Sequence, residues 1–218
     1  MKQLKEYLNE GLINRKVSVK TPIRYKPVTK EELKARIVYL IESGITNLNC
    51  IDVTDITDMS RLFSLVAADL SKCRDTLMLD MSEWDMSNVT DTSYMFAYCS
   101  NFTADLSNWD LTSVKNARAM FLKCYKFNSD ISNWNMPNLE NSQWMFTECH
   151  ELDADITKWK LSDKLSDMRD TFKFCEKIKG DAKNWNLPKC ETNFFQMFKG
   201  CPNIIPPKWY VYPYYSRP

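Results

Sequence analysis

The sequence predicts an α/β repeat: a right-handed solenoid of about seven coils, each a short parallel strand followed by a short helix, with a capping helix at its N-terminal end. Three observations predict it. "SNWDLTSVKNARAMFLKC" (107–124) is matched 25 residues later by "SNWNMPNLENSQWMFTEC" (132–149), with Trp, Met-Phe and Cys in the same places. Around each tryptophan the apolar period is two, and toward each cysteine it lengthens to about 3.6. A stretch with helix start and stop signals precedes the first coil.

The elements follow in chain order. Residues 1–28 hold an amphipathic segment, "MKQLKEYLNEGLIN", with Leu4, Leu8 and Leu12 on one helical face, and a basic linker with Arg15, Lys16, Lys20, Arg24 and Lys26. Residues 29–45 form the capping helix. Thr29 and Glu32 stand at capping-box spacing, Leu33, Ile37, Leu40 and Ile41 share a face, and Gly44 stops it. The coils with a C-terminal aromatic cap occupy 46–218, and a longer helix is expected in an insertion from Ser64 to Thr76.

Within the coils an apolar residue (Met81, Leu106, Ile131, Ile156, Ala182) precedes Trp84, Trp109, Trp134, Trp159 and Trp185 by three positions. Leu or Met follows each Trp two residues later, which suits a strand showing alternate residues to a core. Val114, Ala117, Phe121 and Cys124 then fall on one face of a short helix. Alone, such a unit cannot bury its apolar edges, so it must stack on copies of itself. "LNCIDVTDITDMSRLF" lies on the same columns without the Trp, and "KWYVY" supplies Trp209 and Val211 as a last strand.

Composition narrows the function. The chain has 218 residues, 44% hydrophobic and 26% charged, with formal net charge +1. A whole-surface attraction to nucleic acid or anionic membrane is therefore not expected, and the basic linker lacks the aromatic interleaving of single-strand binders. No apolar run approaches the roughly 20 residues of a membrane span. The charged N-terminus is unlike a signal peptide, which points to a cytoplasmic or virion location, or the cell surface if a signal has been removed.

Each repeated column has a chemical and a structural reading. Cys99, Cys124, Cys149, Cys175 and Cys201 recur once per unit without a CxxC pair, and His150 is the single histidine, so buried reduced thiols are favoured over zinc, disulfide or redox chemistry. The Asp80, Asp105, Asp130, Asp155 and Asp181 column is favoured as turn capping over a calcium ladder. Asp85 and Asp110 form a carboxylate pair with nothing nearby to raise one pKa. The Trp column is read as core rather than as a sugar platform, and Cys149 and His150, being consecutive, point apart. No residue is assigned a catalytic or metal-binding role, and no cofactor is expected.

Function is then expected on what the coils present. The concave face is assigned to Asp52, Asp85, Asp110, Asn135, Lys160, Asn186 and Tyr210, a row running from acidic to basic that suits partner binding. Leu4, Leu8, Leu12, Tyr212, Tyr214 and Tyr215 are further candidate interface residues, the tyrosines for self-association through the C-terminal tail.

The apolar-x-x-apolar-x-Leu-x-x-apolar pattern resembles leucine-rich repeats. The Leu-Pro of "WNLPKC" and Phe-x-x-Cys of "MFKGC" resemble the Treponema-type repeats of BspA-like proteins. "FNSDISNWNMPNLENSQWMFTEC" and "DMSNVTDTSYMF" resemble the surface-protein repeat FNxDISxWDVSNVTDMSxMF. The resemblance, from about Leu48 to Trp209, implies protein binding without catalysis. Similar openings among proteins of large intestinal bacteriophages add a weaker resemblance. The function expected is a non-enzymatic protein-binding or structural repeat protein, bacteriophage-encoded or intracellular bacterial, in a complex with a protein partner or larger assembly. A secreted or surface adhesin for host protein or glycan is the alternative, and a glycoside-acting enzyme comes third.

Overall fold

The computed structural model describes residues 24–64, 78–185 and 193–210. Leu4, Leu8, Leu12, the insertion beyond Ser64, Asn186, Val211, Tyr212, Tyr214 and Tyr215 lie outside them.

Helix α1 spans Lys30–Glu42. The Thr29 hydroxyl accepts a hydrogen bond from the Glu32 N–H at 3.1 Å, and the Glu32 carboxylate accepts one from the Val28 N–H at 2.9 Å, one residue earlier than a capping box requires. Gly44, at φ +77°, lets the chain leave in the left-handed region, and the Gly44 and Ile45 N–H groups return to the carbonyls of Ile41 and Leu40. Leu33, Ile37, Leu40 and Ile41 are buried in the same core as Leu48 and Ile51.

Beyond α1, each unit hydrogen-bonds to the equivalent residues of the next. One row of parallel single-residue bridges links Asp58 to Asp91, then Asn116, Asn141, Asp167 and Asn193. A second row includes Asn47 with Asp80, Met78 with Thr103 and Asp155 with Lys179. It extends into a parallel pair, β1 (Lys179–Asp181) and β2 (Asn203–Ile205), with Lys179 opposite Asn203.

The stretch read as a short helix is not helical. Across 116–124 the N–H groups of Met120, Leu122 and Cys124 turn back to carbonyls three residues earlier, while those of Ala117, Ala119, Phe121 and Lys123 donate to Asn141, Gln143, Met145 and Thr147 of the next unit. An α-helix consumes its own backbone groups and could not share them in this way. The alternation needs left-handed residues at fixed places. Tyr94, Ala119, Trp144 and Asp170 form one such column, and Tyr98, Lys123, Glu148 and Phe174 another, all with φ between 54 and 65°. Each costs on the order of 1 kcal/mol or more, offset by bonds to the neighbouring unit. Apolar residues still return inward every three or four positions, which is why the period resembled a helix.

The Trp-x-Leu step is likewise not a strand: it is a short connection that follows a turn closed at the Trp. The N–H of Trp109 donates to Leu106 and that of Trp134 to Ile131. Alternation survives, since Trp109 and Leu111 are buried with Asp110 exposed between them. At the far end, Tyr210 donates its N–H to Pro207 in another turn rather than extending a strand. Among the described residues the named strands are therefore β1 and β2, and the seven strands expected are replaced by turns and single-residue bridges.

The core is built from columns. Phe63, Phe96, Phe121, Phe146, Phe172 and Phe198 stack ring on ring at centroid distances of 4.9 to 5.8 Å. Trp84, Trp109, Trp134, Trp159 and Trp185 are 4 to 9% exposed. Four of them donate Nε1–H backward to a carbonyl of the preceding unit: Trp84 to Leu48, Trp109 to Met81, Trp134 to Leu106 and Trp159 to Ile131, at 2.8 to 3.1 Å. The pattern breaks at Trp185, whose buried Nε1 has no acceptor among the described residues.

Candidate functional site

The columns that carry reactive groups are structural in their geometry. Cys124, Cys149, Cys175 and Cys201 each donate Sγ–H to a phenylalanine carbonyl of the preceding unit, at 2.8 to 3.2 Å. Burial pushes the Cys99 thiol up to about 12 and raises those of Cys124, Cys149, Cys175 and Cys201. A thiolate nucleophile is disfavoured in such surroundings. Beside Cys149, His150 stacks on Tyr125 at 5.3 Å with Nδ1 3.2 Å from the Phe174 carbonyl, away from the thiol.

The aspartates cap turns. Asp80, Asp105, Asp130, Asp155 and Asp181 each accept the N–H two residues on, at 2.8 to 3.2 Å. Asp52, Asp85 and Asp110 do the same for Thr54, Ser87 and Thr112. Side-chain and backbone hydrogen bonds from these neighbours hold Asp52, Asp80, Asp85, Asp105, Asp130 and Asp155 below the usual carboxylate range. A carboxyl kept as a general acid needs the opposite shift. An open hollow of about 720 Å³ lies along the column, lined by Asp80, Asp105, Asp130, Ser129 and Lys126 among others, and its carboxylates are these same turn caps. Among the described residues, no group of three or more His, Cys, Asp or Glu side chains is placed to hold a metal ion.

The row assigned to partner binding divides. Asp85, Asp110, Asn135 and Lys160 are exposed at equivalent positions of successive units, and Asp52 is half-buried. Tyr210 is not a surface residue. It is 7% exposed, packs edge-on against Phe198 at 5.3 Å, and its hydroxyl accepts the Phe198 N–H. The parallel row of Glu83, Asn108, Asn133, Lys158, Asn184 and Lys208 is exposed throughout.

A different surface escaped the sequence reading. Arg61 lies over the Tyr94 ring at 4.5 Å, and Arg118 lies between Tyr94 at 5.8 Å and Trp144 at 4.9 Å. The rings rest on a small apolar cluster of Ala97, Ala119 and Leu122, separate from the main core. The residues involved lie outside the conspicuous Trp, Phe and Cys columns and are not identical from unit to unit, so repeat analysis passes over them.

Periodic packing of this kind has a matching family. The family model described as "Mycoplasma protein of unknown function, DUF285" matches residues 57–185 and 145–207. The chain belongs to this family. The match is compatible with the resemblance to BspA-type repeats, and the two matched stretches overlap, as successive copies of one pattern allow. No curated protein and no solved structure matches the chain. No helix of this DUF285 member among the described residues is long and apolar enough to cross a membrane.

Proposed function

We propose that this DUF285 member is a non-enzymatic, leucine-rich-repeat-like solenoid that binds a protein partner, as a bacteriophage-encoded or intracellular bacterial binding or structural component. The reading is carried by the exposed row Asp85, Asp110, Asn135 and Lys160, at equivalent positions of successive units and graded from acid to base. The thiols of Cys124, Cys149, Cys175 and Cys201 and the indoles of Trp84, Trp109, Trp134 and Trp159 are buried and hydrogen-bonded into the stack, while the row presents different side chains on one repeated backbone. Stacked repeats use such extended faces for binding, and a charge gradient sets the orientation of the partner.

The test is a pull-down from the native source with mass spectrometry, comparing the intact chain, a chain lacking residues 1–16, and a variant carrying Asp85→Asn, Asp110→Asn and Lys160→Gln. The expected result is one dominant partner retained by the truncated chain and weakened by the triple variant. Equal recovery with the triple variant removes the row from the interface. Loss on truncation alone assigns docking to residues 1–16.

A further inference from the structure

On the surface formed by Arg61, Tyr94, Arg118 and Trp144 the two arginines differ from the neighbouring cations in charge pairing. Along the same outer side, Lys123 faces Glu148 at 3.7 Å, Lys173 faces Asp170 at 3.0 Å and Arg169 faces Asp167 at 2.6 Å. Arg61 and Arg118 have no such carboxylate among the described residues, and the buried Nε of Arg118 has no acceptor. Their guanidinium groups are nonetheless held in place. Each lies on a ring, and the Trp144 ring is itself fixed by an Nε1–H bond to Asp170 at 3.2 Å. Stacking leaves the in-plane N–H donors of a guanidinium unfilled, and those donors match a carboxylate in geometry.

We propose that this outer face binds an acidic peptide segment of a partner protein, with one carboxylate seated on Arg61 and another on Arg118. The two groups lie 4.5 and 5.8 Å from the same Tyr94 ring centre, which sets their separation at about 10 Å or less. Alternate residues of an extended peptide lie on one face about 7 Å apart, so carboxylates at every second position reach both groups. Tyr98, 63% exposed four residues beyond Tyr94, offers an apolar rim for the intervening side chains. A single-stranded nucleic acid is the less suited occupant. Its bases need free aromatic faces, and arginines already lie over Tyr94 and Trp144. This inference rests on the reading of the chain as a protein-binding repeat but uses a surface separate from the Asp85 to Lys160 row.

The experiment is fluorescence anisotropy at low salt with the full chain and a labelled octapeptide alternating glutamate and serine. A lysine-serine octapeptide and a twelve-residue oligo-dT are the comparison probes. The glutamate peptide is expected to bind, and Arg61→Gln with Arg118→Gln to weaken it by on the order of tenfold or more. Arg118→Lys, which keeps the charge but loses the fork, is expected to weaken it severalfold. Arg61→Gln alone, at an exposed position, serves if the Arg118 variants do not fold. Unchanged affinity in the arginine variants, or tighter binding of oligo-dT than of the glutamate peptide, overturns the proposal. The Asp85, Asp110 and Lys160 variant should bind the peptide normally, so failure of this site is distinguishable from failure of the exposed row.

Discussion

Replacing Trp134 by Ala tests whether the repeated tryptophans hold the units together. The side chain is 5% exposed, its ring lies 6.1 Å from Phe121 and 6.3 Å from Phe146, and its Nε1–H reaches the Leu106 carbonyl of the preceding unit at 3.0 Å. Truncating a buried aromatic of this size costs about 3 to 5 kcal/mol. The Leu106 carbonyl loses its indole donor in the process, adding about 1 kcal/mol, so the upper half of that range is expected. Against a whole-domain stability of about 5 to 15 kcal/mol, that is about a quarter or more. Trp134→Phe separates the contributions, because it keeps a ring while removing the N–H, and about 1 to 2 kcal/mol is expected. Urea unfolding followed by far-UV circular dichroism, with both variants beside the parent, reads the differences. Because adjacent units supply most of each other's contacts, hydrogen exchange should also rise first in the units around residues 106 and 159. A loss below about 1 kcal/mol for Trp134→Ala would refute the reasoning, since an indole in this position cannot be removed so cheaply.

Other expectations concern the thiols, the aspartates, one glycine and the α1 N-cap. Cys124, Cys149 and Cys175, with raised pKa values from burial, should resist iodoacetamide at pH 8 in the folded chain and react once it is unfolded, as read by peptide mass spectrometry; rapid native labelling would show that the units open. The pKa values of Asp80, Asp85, Asp105, Asp130 and Asp155 are depressed below the ordinary 3.8, so the stability they contribute is present above about pH 4 and lost as pH falls through the folded values. Melting temperature should therefore fall below about pH 4, and an Asp130→Asn variant should show a shallower fall. Gly200→Ala should destabilise by about 1 to 2 kcal/mol, because φ is +76° and the added Cβ would sit 2.6 Å from Phe174 Cδ1. Thermal melts of this variant read the effect directly. Thr29→Ala should cost about 1 kcal/mol through loss of the α1 N-cap, measurable in the same melts.

Helix α1 was the most legible part of the chain, because its signals are local. Thr29, Glu32 and Gly44 act within a few residues of themselves, and the Leu33, Ile37, Leu40 and Ile41 face has the period of the helix that presents it. The turn-capping aspartates were legible for the same reason: an Asp side chain reaches the N–H two residues on whatever surrounds it. The inward tryptophans followed from their alternation with Asp85 and Asp110, which holds in a short connection between turns as well as in a strand.

Other features depended on partners distant in sequence. Whether the N–H of Ala117 or Ala119 would bond within its own segment or across to Asn141 and Gln143 is invisible in a periodicity, since both arrangements bring Phe121 and Cys124 inward. The left-handed column occupied by Tyr94, Ala119, Trp144 and Asp170 carries no glycine signal, because its strain is borne by bonds from the neighbouring units. Tyr210 was assigned to a surface by its place in the row, whereas its ring packs against Phe198 and its hydroxyl accepts the Phe198 N–H. The stacking of Arg61 and Arg118 on Tyr94 likewise joins residues 57 positions apart. Sequence alone determined the repeat, its inward columns and helix α1, because a buried or helix-terminal position restricts the residue type at each site. Backbone pairing between units, and with it the outer surface, was settled only by the folded stack, because bonds between neighbouring units can be made by many different side chains.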